Sequence, residues 1–236
     1  SAWRRRGWPA LTGQAAISCR ILVFAKAPTP GQVKTRLAPA LGEWAAAELH
    51  RQLVARTLRT ASAAAVGPVE LWCTPDAHDR FLASCAKQFG LRLRDQGAGD
   101  LGIRMARALE ISLAEGSPAL LIGCDCPALT VEYLRDAAAA CDGENHAVLG
   151  PAEDGGYVLI GLARSPVMQL FENMAWGTAM VMQEKRTRLA RLGWRWIELA
   201  TLWDVDRPED LARLRQLCAE QRIPVPRVPT QKKQAE

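Results

Sequence analysis

The chain of 236 residues carries 30 basic and 25 acidic side chains, a net charge of +5, and is 49% apolar. That is enough apolar material for a sizeable core, and no apolar run approaches the ~20 residues that a membrane span requires. The charge excess sits near the ends: setting aside Arg4, Arg5, Arg6, Arg227, Lys232, Lys233 and Glu236 leaves 24 basic and 24 acidic residues over 17–223, so no nucleic-acid-binding face is expected.

Residues 1–19 contain arginines but no apolar h-region, which argues against a secretory signal. The seven cysteines (19, 73, 85, 124, 126, 141 and 218) are an odd set without zinc-type spacing, which suits free thiols in a reducing cytoplasm. A single domain over 17–223 is expected, with flexible basic tails at 1–16 and 224–236.

Strand-like and helix-like segments alternate along the chain. Strands are expected at 20–25, 69–73, 91–94, 119–124, 146–150, 157–162 and 195–199, and helices at 43–66, 77–89, 101–115, 131–141, 178–192 and 208–220. Glu43 opens the first helix, Thr130 suits an N-cap, and Pro208 lies near a helix start. This rhythm predicts an α/β fold with a mixed, mostly parallel central sheet and helices on both faces. The continuous apolar runs 119–123 and 157–160 suit central strands. Around "PAEDGG" two strand runs lie close together, which reads as a hairpin entering the sheet from the other direction.

Ligands in such sheets sit beyond the C-terminal strand ends, so the segments that follow strands are where chemistry is expected. After the first strand comes "AKAPTPGQVKTRLAP". Pro28, Pro30 and Pro39 stiffen this loop and Gly31 allows a turn, while Lys26, Lys34, Thr35 and Arg36 can meet phosphate oxygens. Neither the P-loop nor the G-x-G-x-x-G spacing is present. In "QGAGDLGIRM" a helix start bearing Arg104 follows Asp100, for which capping competes with ligand binding. In "LLIGCDCPALT", Asp125 stands at the end of an apolar strand, where a carboxylate needs a partner. A divalent ion shared with a diphosphate would supply one, while Cys124 and Cys126 read as packing residues. In "LGPAEDGGYVLIGL", Asp154 and Gly155 belong to a tight turn, and Asp154 is a candidate general base or sugar-hydroxyl contact. In "LWDVDRPEDL", one of Asp204 and Asp206 is expected to face a site and the other solvent. Trp176 and Trp203 lie near these segments, with packing as their ordinary fate.

In order along the chain, "FAKAPTPGQVKTRLAPALG", "GDLGIRM", "IGCDCPALT", "LGPAEDGGYVLIGL", "WGTAMV" and "WDVDRPEDL" resemble the DUF2064 family of GT-A-fold glycosyltransferase-like proteins, also called the selenodomain-associated transferase 1 type. The resemblance spans about residues 19–215. It implies a Rossmann-like nucleotide-diphospho-sugar transferase fold whose opening loop wraps the nucleotide phosphates. On that basis Lys26, Pro28, Gly31, Lys34, Thr35, Arg36, Asp100 and Gly155 are candidate nucleotide contacts. The resemblance also implies Mg²⁺ or Mn²⁺ on Asp125, with Asp206 as second ligand by its match to a "DTPEDL"-like segment of sugar-nucleotide cytidylyltransferases. Two departures stand out: Gly123 and Pro127 flank Asp125 where a strict DxD motif would continue, and a GxGxR loop is absent. Three functions follow as expectations. The first is metal-dependent glycosyl transfer from a nucleotide sugar to an acceptor, with Asp154 as acceptor base. The second is nucleotidyl transfer from an NTP to a phosphorylated small molecule, and the third is nucleotide-sugar binding without catalysis.

Overall fold

The computed structural model describes residues 19–141, 144–165 and 167–220; the tails expected at 1–16 and 224–236 lie outside the described residues. Seven strands, β1 (Arg20–Lys26), β2 (Val69–Thr74), β3 (Arg92–Asp95), β4 (Ala119–Ile122), β5 (Ala147–Pro151), β6 (Tyr157–Leu162) and β7 (Trp196–Glu198), form one sheet in the order β3-β2-β1-β4-β6-β5-β7. β6 is antiparallel to both of its neighbours, β4 and β5, and every other pairing is parallel. The mixed, mostly parallel sheet expected from the alternating pattern is present, and its two most continuous apolar runs, β4 and β6, lie at the centre.

The helices are α1 (Ala38–Leu41), α2 (Glu43–Ala64), α3 (Arg80–Phe89), α4 (Leu101–Ala114), α5 (Val131–Ala140), α6 (Val181–Arg191) and α7 (Asp210–Glu220). Of these only the single turn α1, which has Pro39 near its start, was not expected. Successive strand residues face opposite sides, and β1 shows the result. Ile21, Val23 and Ala25 pack with Val54 and Leu58 of α2, Leu82 of α3 and Leu134 of α5, whereas Leu22 and Phe24 pack with Met105 and Leu109 of α4 and Met182 and Leu189 of α6. A third cluster joins Leu41, Leu49 and Leu53 to Trp203 and to Leu211 and Leu214 of α7.

Local capping sets where helices begin. Asp79 Oδ1 accepts from the Leu82 amide at 3.0 Å, so α3 starts three residues later than expected. Thr130 Oγ1 accepts from Tyr133 N at 3.1 Å and caps α5 as anticipated. All seven cysteines are free and buried. Among the described residues no helix is long and apolar enough to cross a membrane.

One core residue is chemically unusual. Lys185 of α6 is fully buried, donates from Nζ to Leu170 O, and places that nitrogen 3.6 Å from the Phe171 ring centroid, with the Trp176 and Tyr157 rings at 5.4 and 5.7 Å. Burial pushes its pKa down to about 6; Arg188 pushes the same way and Glu184 opposes. In the unfolded chain a lysine keeps its proton to about pH 10. Between those values the unfolded state therefore holds the extra proton, and stability rises with pH across that window. The melting temperature is expected to climb from pH 8 to 9, and Lys185→Met should remove most of that slope. An unchanged slope in the variant would place the titration elsewhere.

Candidate active site at the β1–β4 switch point

From β1 the chain builds outward through β2 to β3 on one side of the sheet, and from β4 through β6, β5 and β7 on the other. Neighbouring parallel strands with divergent connections leave a crevice beyond their C-terminal ends. A cavity of about 430 Å³ opens there, within the size range of small-molecule sites.

One end of the cavity is acidic. Asp125 follows β4, Asp154 sits in the β5–β6 turn, and Asp204 arrives from the segment before α7; all three line the cavity. Two bonds bring Asp204 beside Asp125: Val205 N donates to Asp125 O at 2.8 Å, and Lys34 Nζ donates to Val205 O. The same ammonium sits 2.6 Å from Asp125 Oδ1, its side chain 3% exposed and that of Asp125 51% exposed. Burial alone would raise the Asp125 pKa, but Lys34, helped by His50, outweighs it and holds the carboxyl below its ordinary range. Asp204 is pushed up to about 7, first by burial and then by Asp125, with Asp154 and Asp206 adding to the effect and Lys34 opposing it. Lys34 itself adopts a left-handed φ of 49° to make these contacts, a strain of about 1 kcal/mol.

His50 of α2 closes this end from below. Its Nε2 meets the Lys26 carbonyl at 2.9 Å, so that nitrogen carries the proton and donates. Burial pushes the imidazole below its usual pKa, with Asp125 opposing. The other nitrogen, Nδ1, is buried without a hydrogen-bond partner and faces Asp125 Oδ1 at 3.9 Å. Two acceptors facing each other in this way leave room for a cation or a donor between them.

The rest of the wall is apolar and cationic. Phe24, Leu101, Met105, Val158 and Trp176 line it, together with Lys26 and Arg104. Trp176 reaches the cavity because Gly102 lets its loop lie against α4: a Cβ on Gly102 would come 2.7 Å from Phe171 O and 3.0 Å from the Trp176 ring.

Of the residues singled out in the sequence, the structure brings Lys26, Arg104, Asp125, Asp154, Trp176 and Asp204 together on the cavity. The others are placed differently. Asp206 is not a lining residue: its carboxylate pairs with Arg36 at the surface, the two side chains being 44% and 61% exposed. In a regular strand residues i and i+2 share a face, but no strand is formed at 203–206, so Asp204 turns in while Asp206 turns out. Lys34 is committed to Asp125 and Val205 rather than open to phosphate. Pro28 is buried, and Thr35 is exposed off the cavity with its carbonyl accepting from Ala38 N. Gly31 turns at φ 75° against Glu43. Asp100 caps α4 through the Ile103 amide at 2.9 Å. Gly155, at φ 87°, touches the chain at Ala179, where a Cβ would lie 2.3 Å from the carbonyl oxygen. Glu153 forks onto Arg213 at 2.7 and 2.9 Å. Trp203 packs in the core beside α7.

His50 and Gln96 had no signal in the sequence, and Trp176 was expected only to pack. His50 and Gln96 are lone polar residues, one within an Ala/Leu-rich helix and the other just after a short strand, and no spacing marks either of them. For Trp176 the proximity of a motif was a signal, and for Arg104 its place at a helix start beyond a strand.

A protein-family profile matches residues 57–178, more than half of the chain; the family is described as an uncharacterized protein conserved in bacteria, DUF2064. The chain belongs to the DUF2064 family. The matched stretch holds Arg104, Asp125, Asp154 and Trp176, while Lys26, Lys34, His50 and Asp204 lie outside it. Among solved structures, the chain is similar to a provisionally assigned nucleotide-diphospho-sugar transferase from Desulfovibrio desulfuricans G20, with 29% identity, a TM-score of 0.75, and 84% of this chain and 87% of that one covered. A cytidylyltransferase from Leptospira borgpetersenii shares the fold at 13% identity and a TM-score of 0.54, with 86% and 87% covered. So does the 4-diphosphocytidyl-2C-methyl-D-erythritol synthase of Anaerococcus prevotii, at 14% and 0.55, with 84% and 96% covered. No curated protein matches the chain.

The two cationic residues of the opening loop should differ sharply on substitution. Lys34→Met strands a partly buried carboxylate and is expected to cost about 2–3 kcal/mol in denaturant unfolding, below the range for a fully buried pair because Asp125 is half exposed. Arg36→Ala breaks a surface pair and should cost under about 1 kcal/mol. Equal costs would contradict the placement of Lys34.

Proposed function

We propose that this protein is a metal-dependent transferase that acts on a nucleotide-diphospho-sugar and passes the sugar to an acceptor. The observation that carries this reading is the paired carboxylates Asp125 and Asp204 facing a switch-point cavity, with Asp204 held to a pKa of about 7 by its surroundings. Two carboxylates lining one cavity, with the unpartnered His50 Nδ1 facing Asp125, fit a divalent cation. Mg²⁺ and Mn²⁺ take one or two carboxylates and complete their shell with phosphate oxygens and water; among the described residues no group of three or more His, Cys, Asp or Glu side chains could hold an ion by itself. The similarity to the Desulfovibrio protein supports the nucleotide-sugar substrate.

Asp125 and Asp204 would hold the ion in this reading, in place of the Asp125–Asp206 pair expected from the motif. When bound, the ion would neutralise charge that develops on the departing nucleoside diphosphate. Lys34 keeps Asp125 ionised and aimed, and holds Val205 so that Asp204 stays beside it. Asp154 accepts from Gly156 N at 2.8 Å, which orients its carboxylate in the turn, and in this reading it takes the acceptor's proton. Leu101, Met105 and Trp176 form an apolar wall on one side of the cavity.

The deciding assay incubates the protein and Mn²⁺ with nucleotide-diphospho-sugars in one series and with an NTP plus a sugar phosphate in another. Release of nucleoside diphosphate, lost in Asp125→Asn, is expected; pyrophosphate release would make it a nucleotidyltransferase, and neither product would leave a binding protein. Asp204→Asn gives a separate prediction. Removing one of several crowded carboxylates should raise the metal-free melting temperature by a few degrees, on the order of 1–2 kcal/mol, while abolishing the Mn²⁺-dependent shift. A destabilised variant that keeps its metal response would contradict Asp204's role.

A further inference from the structure

The cavity has a cationic end that its own side chains do not neutralise. Arg104 donates from Nη1 to Gln96 Oε1 at 2.8 Å and from Nε to Asp100 O at 3.3 Å. Gln96 is 2% exposed and is fixed in turn, with its amide nitrogen Nε2 on Trp72 O at 2.9 Å and its backbone N–H on Cys73 O at 2.9 Å. The guanidinium is thus locked in place by neutral groups. Lys26 is similar: its Nζ donates to Gln32 O at 2.9 Å. Among the described residues neither Lys26 nor Arg104 has a carboxylate within 4.0 Å, whereas Lys34 and Arg36 each have one. Arg104 is half-buried, and its planar fork matches an oxyanion.

Position separates this end from the carboxylates. Gln96 reaches β2 through Trp72 and β1 through Ala25 O, 3.4 Å away. Arg104 therefore stands over the β1–β2 side of the crevice, one to two strand spacings, or about 5–10 Å, from the end of β4. The two ends can hold different parts of one ligand, or two ligands at once.

We propose that Lys26 and Arg104 form an oxyanion subsite that binds a phosphate or carboxylate group of a substrate, apart from the Asp125–Asp204 end. The proposal deepens the transferase reading and rests on it for the identity of the ligand, but the subsite's affinity for an oxyanion does not depend on metal or turnover. The opening-loop residues Lys34 and Arg36, already paired, have no part in it.

The test is calorimetric titration of the chelator-treated full chain with inorganic pyrophosphate and, separately, with malonate. Binding of at least one is expected, weakened tenfold or more by Arg104→Gln and by Lys26→Gln and unchanged by Arg36→Gln. Tighter pyrophosphate binding identifies a phosphate subsite, tighter malonate binding a carboxylate subsite. If Arg104→Gln fails to fold in a thermal scan, Arg104→Lys replaces it; losing the fork should weaken binding while keeping the charge. The proposal is overturned if the wild type binds neither probe, if the Arg104 and Lys26 variants bind as the wild type does, or if Arg36→Gln loses as much. Oxyanion binding that survives alongside a failed product assay would sink the transferase reading alone, and the reverse outcome would sink the subsite alone.

Discussion

The Lys34 ammonium is the contact on which the site depends. It joins three segments remote in sequence: the loop after β1, the exit of β4 through Asp125, and the approach to α7 through Val205. Without it, Asp125 would face Asp204 with only the His50 imidazole nearby, and mutual repulsion would drive one or both carboxylates to take up a proton or turn away. Its left-handed backbone fits this reading, because residues held in sparsely populated conformations persist where the surroundings over-determine them.

The cavity therefore carries an unequal distribution of charge. At the Asp125 end one lysine offsets part of an acidic cluster, leaving Asp204 about half protonated at pH 7. At the Arg104 end two cations stand without carboxylate partners. Groups in such a state lie where a ligand can complete them. A bound cation at one end and an oxyanion at the other would do so. Gly123 lies between, lining the cavity, and a Cβ built on it meets nothing within 4 Å. The space that a DxD motif would fill with a side chain is open here.

The fold was largely legible because it rests on local signals. Apolar runs marked the strands, their alternation separated the two faces of β1, and Asp154-Gly155-Gly156 marked the hairpin that reverses β6. Asp125 was legible for a related reason: a carboxylate at the end of an apolar strand needs a partner. What charge alone could not show was which partner. Lys34 looked like a phosphate ligand because its carboxylate lies 91 positions later in the chain. Asp206 was preferred over Asp204 because a motif aligned with it, yet which acid faces inward is set by the irregular backbone at 203–206 and by the Val205–Asp125 bond. His50 and Gln96 had no periodicity or spacing to mark them, since their roles arise only when α2 and the exit of β3 converge on β1.

The central claim is that Asp125 and Asp204 hold a divalent cation that bridges to a nucleotide diphosphate. Anomalous diffraction at the manganese edge, from crystals soaked in Mn²⁺ and a nucleoside diphosphate, tests it most directly. A peak within bonding distance of both the Asp125 and Asp204 carboxylates, with diphosphate oxygens completing its shell, is the predicted result. Diphosphate bound in the cavity with no manganese between those two side chains, or with the peak on Asp206, would contradict it.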